Sequence, residues 1–335
     1  MKNLLTLFLL LSLLGFGCNV AQDIPHTEES SNVEPQIYVQ FVQNVHDFVF
    51  PDKSIKTLHR LIDLHEQYEL PVEMYLTDSV LQKYLELDPD LVERLKSSPY
   101  VAVSYHVRPP HPIQSGFDTV GLRKMNDQER YETLLAYEEH ELDTVTGGYT
   151  DAPGGYQLMK DTIGYAPRIV GLTNGPLGKT YSQVLEEKGA LFTVLHEGGS
   201  LIEDTVHGLN KRPEDTEVKL YEYQLRDYDI ESLFKEWTES FDGSRDFFVN
   251  LKFHENNYYT TGTPFGPIYW EEFKTKEGPY EPPYDLSLSS FVGFKSETIQ
   301  DEKWDIYEQA LEYVANNSDW LTAINAADLE QMLEK

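Results

Sequence analysis

From Ile37 onward, short apolar runs alternate with stretches whose apolar residues recur every three or four positions. "IYVQFVQNV", "VEMYLT", "YVAVSYH", "RIVGLT", "ALFTVLH" and "FFVNLKFH" are short and rich in β-branched and aromatic residues, so they read as strands. Between them lie helical patterns. "SIKTLHRLIDLHEQYE" puts Ile55, Leu58, Ile62 and His65 on one face. Helical material over 80–96 breaks at Asp88-Pro89, where proline's missing N–H and its clash with the preceding turn stop a helix. "DQERYETLLAYEEHEL", "GGYQLMKDTIG", "YSQVLEEKG" and "DIESLFKEWTES" continue the series, and two helices over 302–315 and 320–334 end it. The sequence contains no internal repeat.

Strand-helix alternation of this kind predicts parallel strands with helices outside. An open doubly wound sheet loses its usual support, because no glycine-rich phosphate fingerprint follows the first strand. The expectation is therefore an α/β fold, an irregular (β/α) barrel, TIM-like with about seven parallel strands, in a single domain over 36–335. A barrel gathers its functional side chains where strands end. Here the strand ends carry His46-Asp47, Thr77-Asp78, His106, Thr173-Asn174, His196-Glu197 and His254-Glu255. Alternation sharpens the point: Phe247, Val249, Leu251 and Phe253 share one face, and Asn250, Lys252 and His254 the other. Ala102, Ser104 and His106 likewise share a small, polar face that points inward.

Charge removes one class of partner. With 57 acidic against 27 basic residues, the formal charge is −30, a sign that repels phosphate backbones, so no nucleic acid is expected. The first residues supply an address. Lys2 precedes an apolar run from Leu4 to Leu14, shorter than the span of about 20 residues a membrane helix needs. Gly15-Phe16-Gly17 then leads to Cys18, the chain's one cysteine, so no internal disulfide forms. Residues 1–18 resemble a bacterial lipoprotein signal, with Gly15 where that pattern prefers leucine. This implies lipidation of Cys18, export to the bacterial cell envelope and anchoring to a membrane, with 19–35 as a flexible tether.

The candidate chemistry centres on "SYHVRPPHP". Asp47, His106 and His111 offer a carboxylate and two imidazoles, which leave a metal open positions for water and substrate. Pro109-Pro110 restricts the backbone between the histidines. Read as residues alone, the pair is either a chelate or a stiff polar loop, and Asp47 either a ligand or a turn cap before "FPDKS". Arg108 could hold a carboxylate or a sugar hydroxyl, or form a surface ion pair. Tyrosines 221, 223, 228, 258, 259 and 269 are either sugar-stacking platforms or packing. His59, His65 and His140 lie on predicted helices and read as structural or solvated.

With these residues in place, roughly 36–260 resembles the polysaccharide deacetylase superfamily, the NodB-like carbohydrate esterases. In that family the first strand ends in two aspartates, a base and a metal ligand; the resemblance puts His46 in the base position and Asp47 in the ligand position. Two histidines follow the third strand, here His106 and His111, five apart rather than four. The strand-end general acid corresponds to His254. "TDAPGG", containing Asp151, weakly resembles the family's Arg-Pro loop without its arginine. The resemblance implies a divalent metal, zinc first, and removal of an acyl group, typically acetyl, from a carbohydrate or glycan. Arg108, Asp151 and His196 are the substrate-contact candidates. Three other readings stay open. A glycoside hydrolase would use two acids among Glu255, Asp151 and Glu197, and a non-haem iron triad needs the same two histidines and carboxylate. The last is a glycan-binding surface lipoprotein without catalysis.

Overall fold

The chain folds in the alternating order its apolar pattern predicts. The computed structural model describes residues 34–107, 113–114, 117–118, 120–171, 175–194, 205–219, 229–268, 279–287, 289–290 and 292–334. β1 (Ile37–Val45) leads through α1 (Pro51–Tyr68) to β2 (Val72–Leu76), then α2 (Asp78–Leu87), α3 (Pro89–Ser97) and β3 (Val101–Tyr105). A small hairpin of β4 (Ile113–Gln114) and β5 (Phe117–Asp118) follows, then α4 (Asp127–Glu139). Next come β6 (His140–Leu142), β7 (Tyr149–Pro153), α5 (Gly155–Ile163), β8 (Ile169–Gly171), α6 (Gly175–Lys188) and β9 (Phe192–Val194). The remainder is β10 (Thr205–Val206), β11 (Leu209–Lys211), β12 (Thr216–Lys219), α7 (Ile230–Ser240), β13 (Phe247–His254), α8 (Glu297–Asn316), β14 (Leu321–Ala323) and α9 (Ala326–Leu333).

One 10-stranded sheet runs β10-β11-β9-β8-β3-β2-β1-β13-β12, with β14 added to β1. Every pairing in it is parallel except β10 with β11. Alternation sorts the two faces. Val39, Phe41, Met74, Val103, Tyr105, Val249, Leu251 and Phe253 pack into the main core under the helices. Val42, Tyr75, Ala102 and Phe248 face the other way and meet Ile324, Ala326 and Leu329 from the C-terminal segment.

Local chemistry sets the helix boundaries. The Thr77 hydroxyl accepts the Val80 N–H at 3.3 Å at the start of α2. Asp88 does the same for Leu91 at 3.0 Å with Pro89 in the first turn, so the predicted break there is a cap followed by a new helix.

The expected α/β class with a largely parallel sheet is what forms; among the described residues the sheet has β10 and β12 at its edges and does not close into a barrel. The parallel series shortens to three-residue strands at β8 and β9, and the antiparallel β10–β11 hairpin ends it on that side. The helix expected over 320–334 starts only at Ala326, because Leu321–Ala323 pairs with Ile37–Val39 of β1. Asn325 and Asp328 form a capping box at the new start. The helix expected through Leu142 ends at Glu139, and His140 begins β6 instead, opposite Pro153.

His65 is structural, one of the two readings its helical position leaves open. Its Nδ1–H donates to the Leu70 carbonyl at 2.8 Å and its Nε2 accepts the Tyr307 hydroxyl at 2.6 Å. Burial pushes its pKa down to about 4 from the usual 6.5. Between those values the unfolded chain binds a proton that the folded one refuses, so stability falls as pH drops from 6.5 toward 4. Thermal unfolding across that range should show the decline, and His65→Leu should flatten it while lowering stability at neutral pH.

Candidate active site

Strand register brings the strand-end residues together. β1 pairs with β13 from Ile37↔Phe247 to Asn44↔His254, and with β2 up to Val45↔Leu76. β2 pairs with β3 through Tyr75↔Ser104 and Leu76↔Tyr105. Asn44, Tyr75, Ser104 and His254 therefore share one inward rung, and His46, Thr77 and His106 stand one step beyond. The imidazoles converge. The His46 ring lies 4.6 Å from His106 and 5.1 Å from His254, centroid to centroid, with the Phe265 ring at 6.0 Å. His46 is covered, at 1 % exposure, whereas His106 and His254 are half-buried at the mouth. Gly171, at the end of β8, makes room for this group: a Cβ there would meet His106 Nδ1 at 3.2 Å.

Asp47 is fully buried and points into its own turn. One carboxylate oxygen accepts the Val49 and Phe50 amides at 2.9 and 3.0 Å, and the other accepts the Tyr259 hydroxyl at 2.6 Å. Burial raises its pKa, and these three donors oppose the rise. Glu255, also fully buried, accepts the backbone N–H of His46 at 2.6 Å and that of Asp47. Burial first, and the Asp47 charge second, push its pKa up to about 8.

Beneath the imidazoles lies a polar floor. Glu73 accepts the Ser104 hydroxyl and, at 2.7 Å, the Ala326 N–H at the start of α9. Burial pushes Glu73 up to about 7, against hydrogen bonds from Ser104 and Ala326 and the charges of Arg212 and Arg168. Arg212 is buried and reaches the Tyr75 hydroxyl at 3.3 Å and Glu214 at 2.8 Å.

The expected site residues divide accordingly. His46, His106 and His254 meet. Asp151 is exposed on β7, in a two-stranded sheet with β6. Arg108, His111 and His196, with Glu197, lie outside the described residues. Tyr258 and Tyr259 are buried; Tyr258 stacks on Trp304 at 4.0 Å, so neither is a sugar platform. Glu255 was visible in the sequence only as a possible acid of a glycosidase, and Glu73 and Tyr259 as a bridge to Asp47 carried no signal there.

Of the expected ligand set Asp47, His106 and His111, the structure describes Asp47 and His106, and His111 lies outside the described residues. Both Asp47 oxygens are held by protein donors. Among the described residues, no group of three or more His, Cys, Asp or Glu side chains is arranged to hold a metal ion.

No family model matches the chain, and no curated protein matches it. Solved structures do. A structure described as a polysaccharide deacetylase from Mycobacterium smegmatis aligns with a TM-score of 0.50 at 10% identity, covering 90% of this chain and 91% of the other. One from Pseudomonas aeruginosa, described likewise, gives 0.46 at 11% identity, covering 89% and 90%. A 4-alpha-glucanotransferase from Thermococcus litoralis gives 0.49 at 11% identity, and this chain, 89% covered, spans only 40% of it. At such identities the likeness concerns the fold, and the fold is that of the Mycobacterium smegmatis structure.

The raised Glu73 has a measurable consequence. Between pH 4.5 and about 7 the unfolded chain releases the proton that the folded chain keeps. This contribution to stability therefore falls as pH rises through that window, with a slope of up to about 1.4 kcal/mol per pH unit. Denaturant unfolding at several pH values should give a shallower decline for Glu73→Gln than for the wild type; parallel curves would contradict the assignment.

Proposed function

We propose that the protein hydrolyses an acyl group, most simply acetyl, from a carbohydrate or glycan. The observation that carries this reading is the convergence of His46, His106 and His254 at the strand ends of a deacetylase-type fold. Water attacks the acyl carbonyl carbon. An imidazole takes the water's proton, and the bond to the sugar nitrogen or oxygen breaks as a second imidazole protonates the leaving atom. His254, half-buried at the end of β13, suits the acid role. Of the other two, His106 is the ring open to the mouth, and His46, the base expected from the family pattern, is covered behind both.

Loss of a general acid costs about 10²- to 10⁴-fold in rate. His254→Ala should remain folded and lose turnover by that factor on acetylated oligosaccharides, read as free acetate together with chain length. Chain shortening without acetate would instead identify a glycosidase, and binding without any product a glycan-binding protein. Metal dependence, with zinc as first choice, is a separate part of the proposal. Elemental analysis of the wild type beside His106→Ala and Asp47→Ala tests it, and a metal content indifferent to both changes would remove His106 and Asp47 from any ligand set.

We also propose that Cys18 is lipidated and tethers the domain to a bacterial envelope membrane. The support is the apolar run from Leu4 to Leu14 shortly before Cys18 and the acidic, proline-containing segment after it. Among the described residues, no helix is long and apolar enough to cross a membrane. Each buried acyl methylene contributes about 0.8 kcal/mol, so lipid chains can hold a domain without a spanning helix. Cys18→Ser should move the protein from the membrane fraction to the soluble one; unchanged fractionation would mark the anchor as peptide rather than lipid.

A further inference from the structure

The regular ladder between β1 and β13 stops at Asn44↔His254, two residues short of His46. Beyond that pair, His46 and Asp47 still present backbone N–H groups in a buried environment, where each needs an acceptor. No strand supplies one. The acceptor is the side chain of Glu255, whose single oxygen Oε1 takes both amides, His46 at 2.6 Å and Asp47. Glu255 is 0 % exposed and directly follows His254 in the chain. Its backbone thus fixes where His254 stands, and its side chain fixes where the His46 backbone stands. The two rings end 5.1 Å apart.

We infer that Glu255 is a positioning residue for the deacylation reaction, a carboxyl clamp that sets the His46 imidazole against His254 without touching substrate. The inference rests on the function proposed above for these histidines. Asp47 and Tyr259 form the outer part of the same clamp. The Asp47 carboxylate closes the turn through Val49 and Phe50, and the Tyr259 hydroxyl ties it to the segment that follows β13. The clamp therefore has two bridges between the end of β1 and the residues after β13, and Glu255 is the one that reaches the backbone of His46 itself.

The chemistry distinguishes Glu255 from an ordinary buried acid. Its second oxygen, Oε2, is buried without a hydrogen-bond partner, so the side chain gives its one satisfied oxygen wholly to the two amides. An amide carbonyl can accept both N–H groups as a carboxyl oxygen does. Glutamine should therefore preserve the clamp, and alanine should remove it. Aspartate, one methylene shorter, should leave the amides out of reach.

Two readouts test this on the whole protein. Misplacing a reacting group by about 1 Å costs about 10²-fold in rate. Glu255→Ala and Glu255→Asp should thus lower kcat for acetate release by about that factor with KM within about twofold, and Glu255→Gln should recover most of it. A core variant of matched thermal stability, Leu311→Ala, serves as the comparison and should keep its kcat at the assay temperature. Long-range imidazole NMR spectra provide the second readout, which needs no activity. The His46 and His254 signals should move in Glu255→Ala and return in Glu255→Gln, while His65 stays in place in both. Absence of acetate release from the wild type would defeat the proposed function, and the spectra would still judge the clamp. Unmoved His46 and His254 signals in folded Glu255→Ala would overturn the clamp, as would a Glu255→Gln variant as impaired as Glu255→Ala.

Discussion

The parallel pairing of β1 with β13 is the constraint on which the rest of this structure depends. Eight consecutive residue pairs, Ile37↔Phe247 to Asn44↔His254, fix two strands that lie about two hundred positions apart in the chain. Because side chains alternate, this one register decides at once that Val39, Phe41, Val249 and Leu251 meet the helices and that Asn44, His46 and His254 face the opposite side. A slip of one residue would exchange the two sets, putting imidazoles under the helices and valine, leucine and phenylalanine at the mouth. The apolar burial that stabilises the core and the placement of the candidate catalytic groups are therefore a single choice. β2 and β3 inherit it through their own ladders, which is how His106 arrives beside His46.

This coupling explains what was legible in the sequence. The inward direction of His106 and His254 follows from period-two alternation within short apolar strands, a local signal that neighbouring residues do not obscure. The break at Asp88-Pro89 was equally readable, since a capping side chain followed by proline is a signature written in two letters. The role of Asp47 was not. One of its carboxylate oxygens accepts the hydroxyl of Tyr259, which lies 212 positions away, a contact that no local pattern shows. Glu255 posed the same difficulty. An acidic residue after a strand-end histidine suggests catalysis, yet its oxygen faces two backbone amides that only the folded register places there.

The misread elements share one cause. Apolar pattern gives β14 and the end of α4 no distinctive period, because three residues are too few to show one. β14 exists because the first half of β1 has an open edge beside β2, whose pairing begins only at Val42↔Glu73, and Leu321–Ala323 fills it. Whether the sheet closes is a long-range matter of the same kind. A barrel requires its last strand to find the first, and strand counting along a chain cannot show whether the edges meet. Here the antiparallel hairpin β10–β11 occupies one edge of the described sheet.

The position of β14 also governs when this protein can become itself. Ile37–Val39 is bordered by residues 247–249 on one side and 321–323 on the other, and the Ala326 N–H then settles on Glu73. The strand over 37–45 therefore has no complete neighbourhood until residue 323 has been made. Contacts of such long sequence separation close slowly, and a chain emerging N-terminus first has little to collapse onto around β1. Such a delay suits a polypeptide that is threaded through a membrane before it folds, which the proposed export route would require. Removing α9 and β14 would strip β1 of a partner and leave Glu73 without the Ala326 donor.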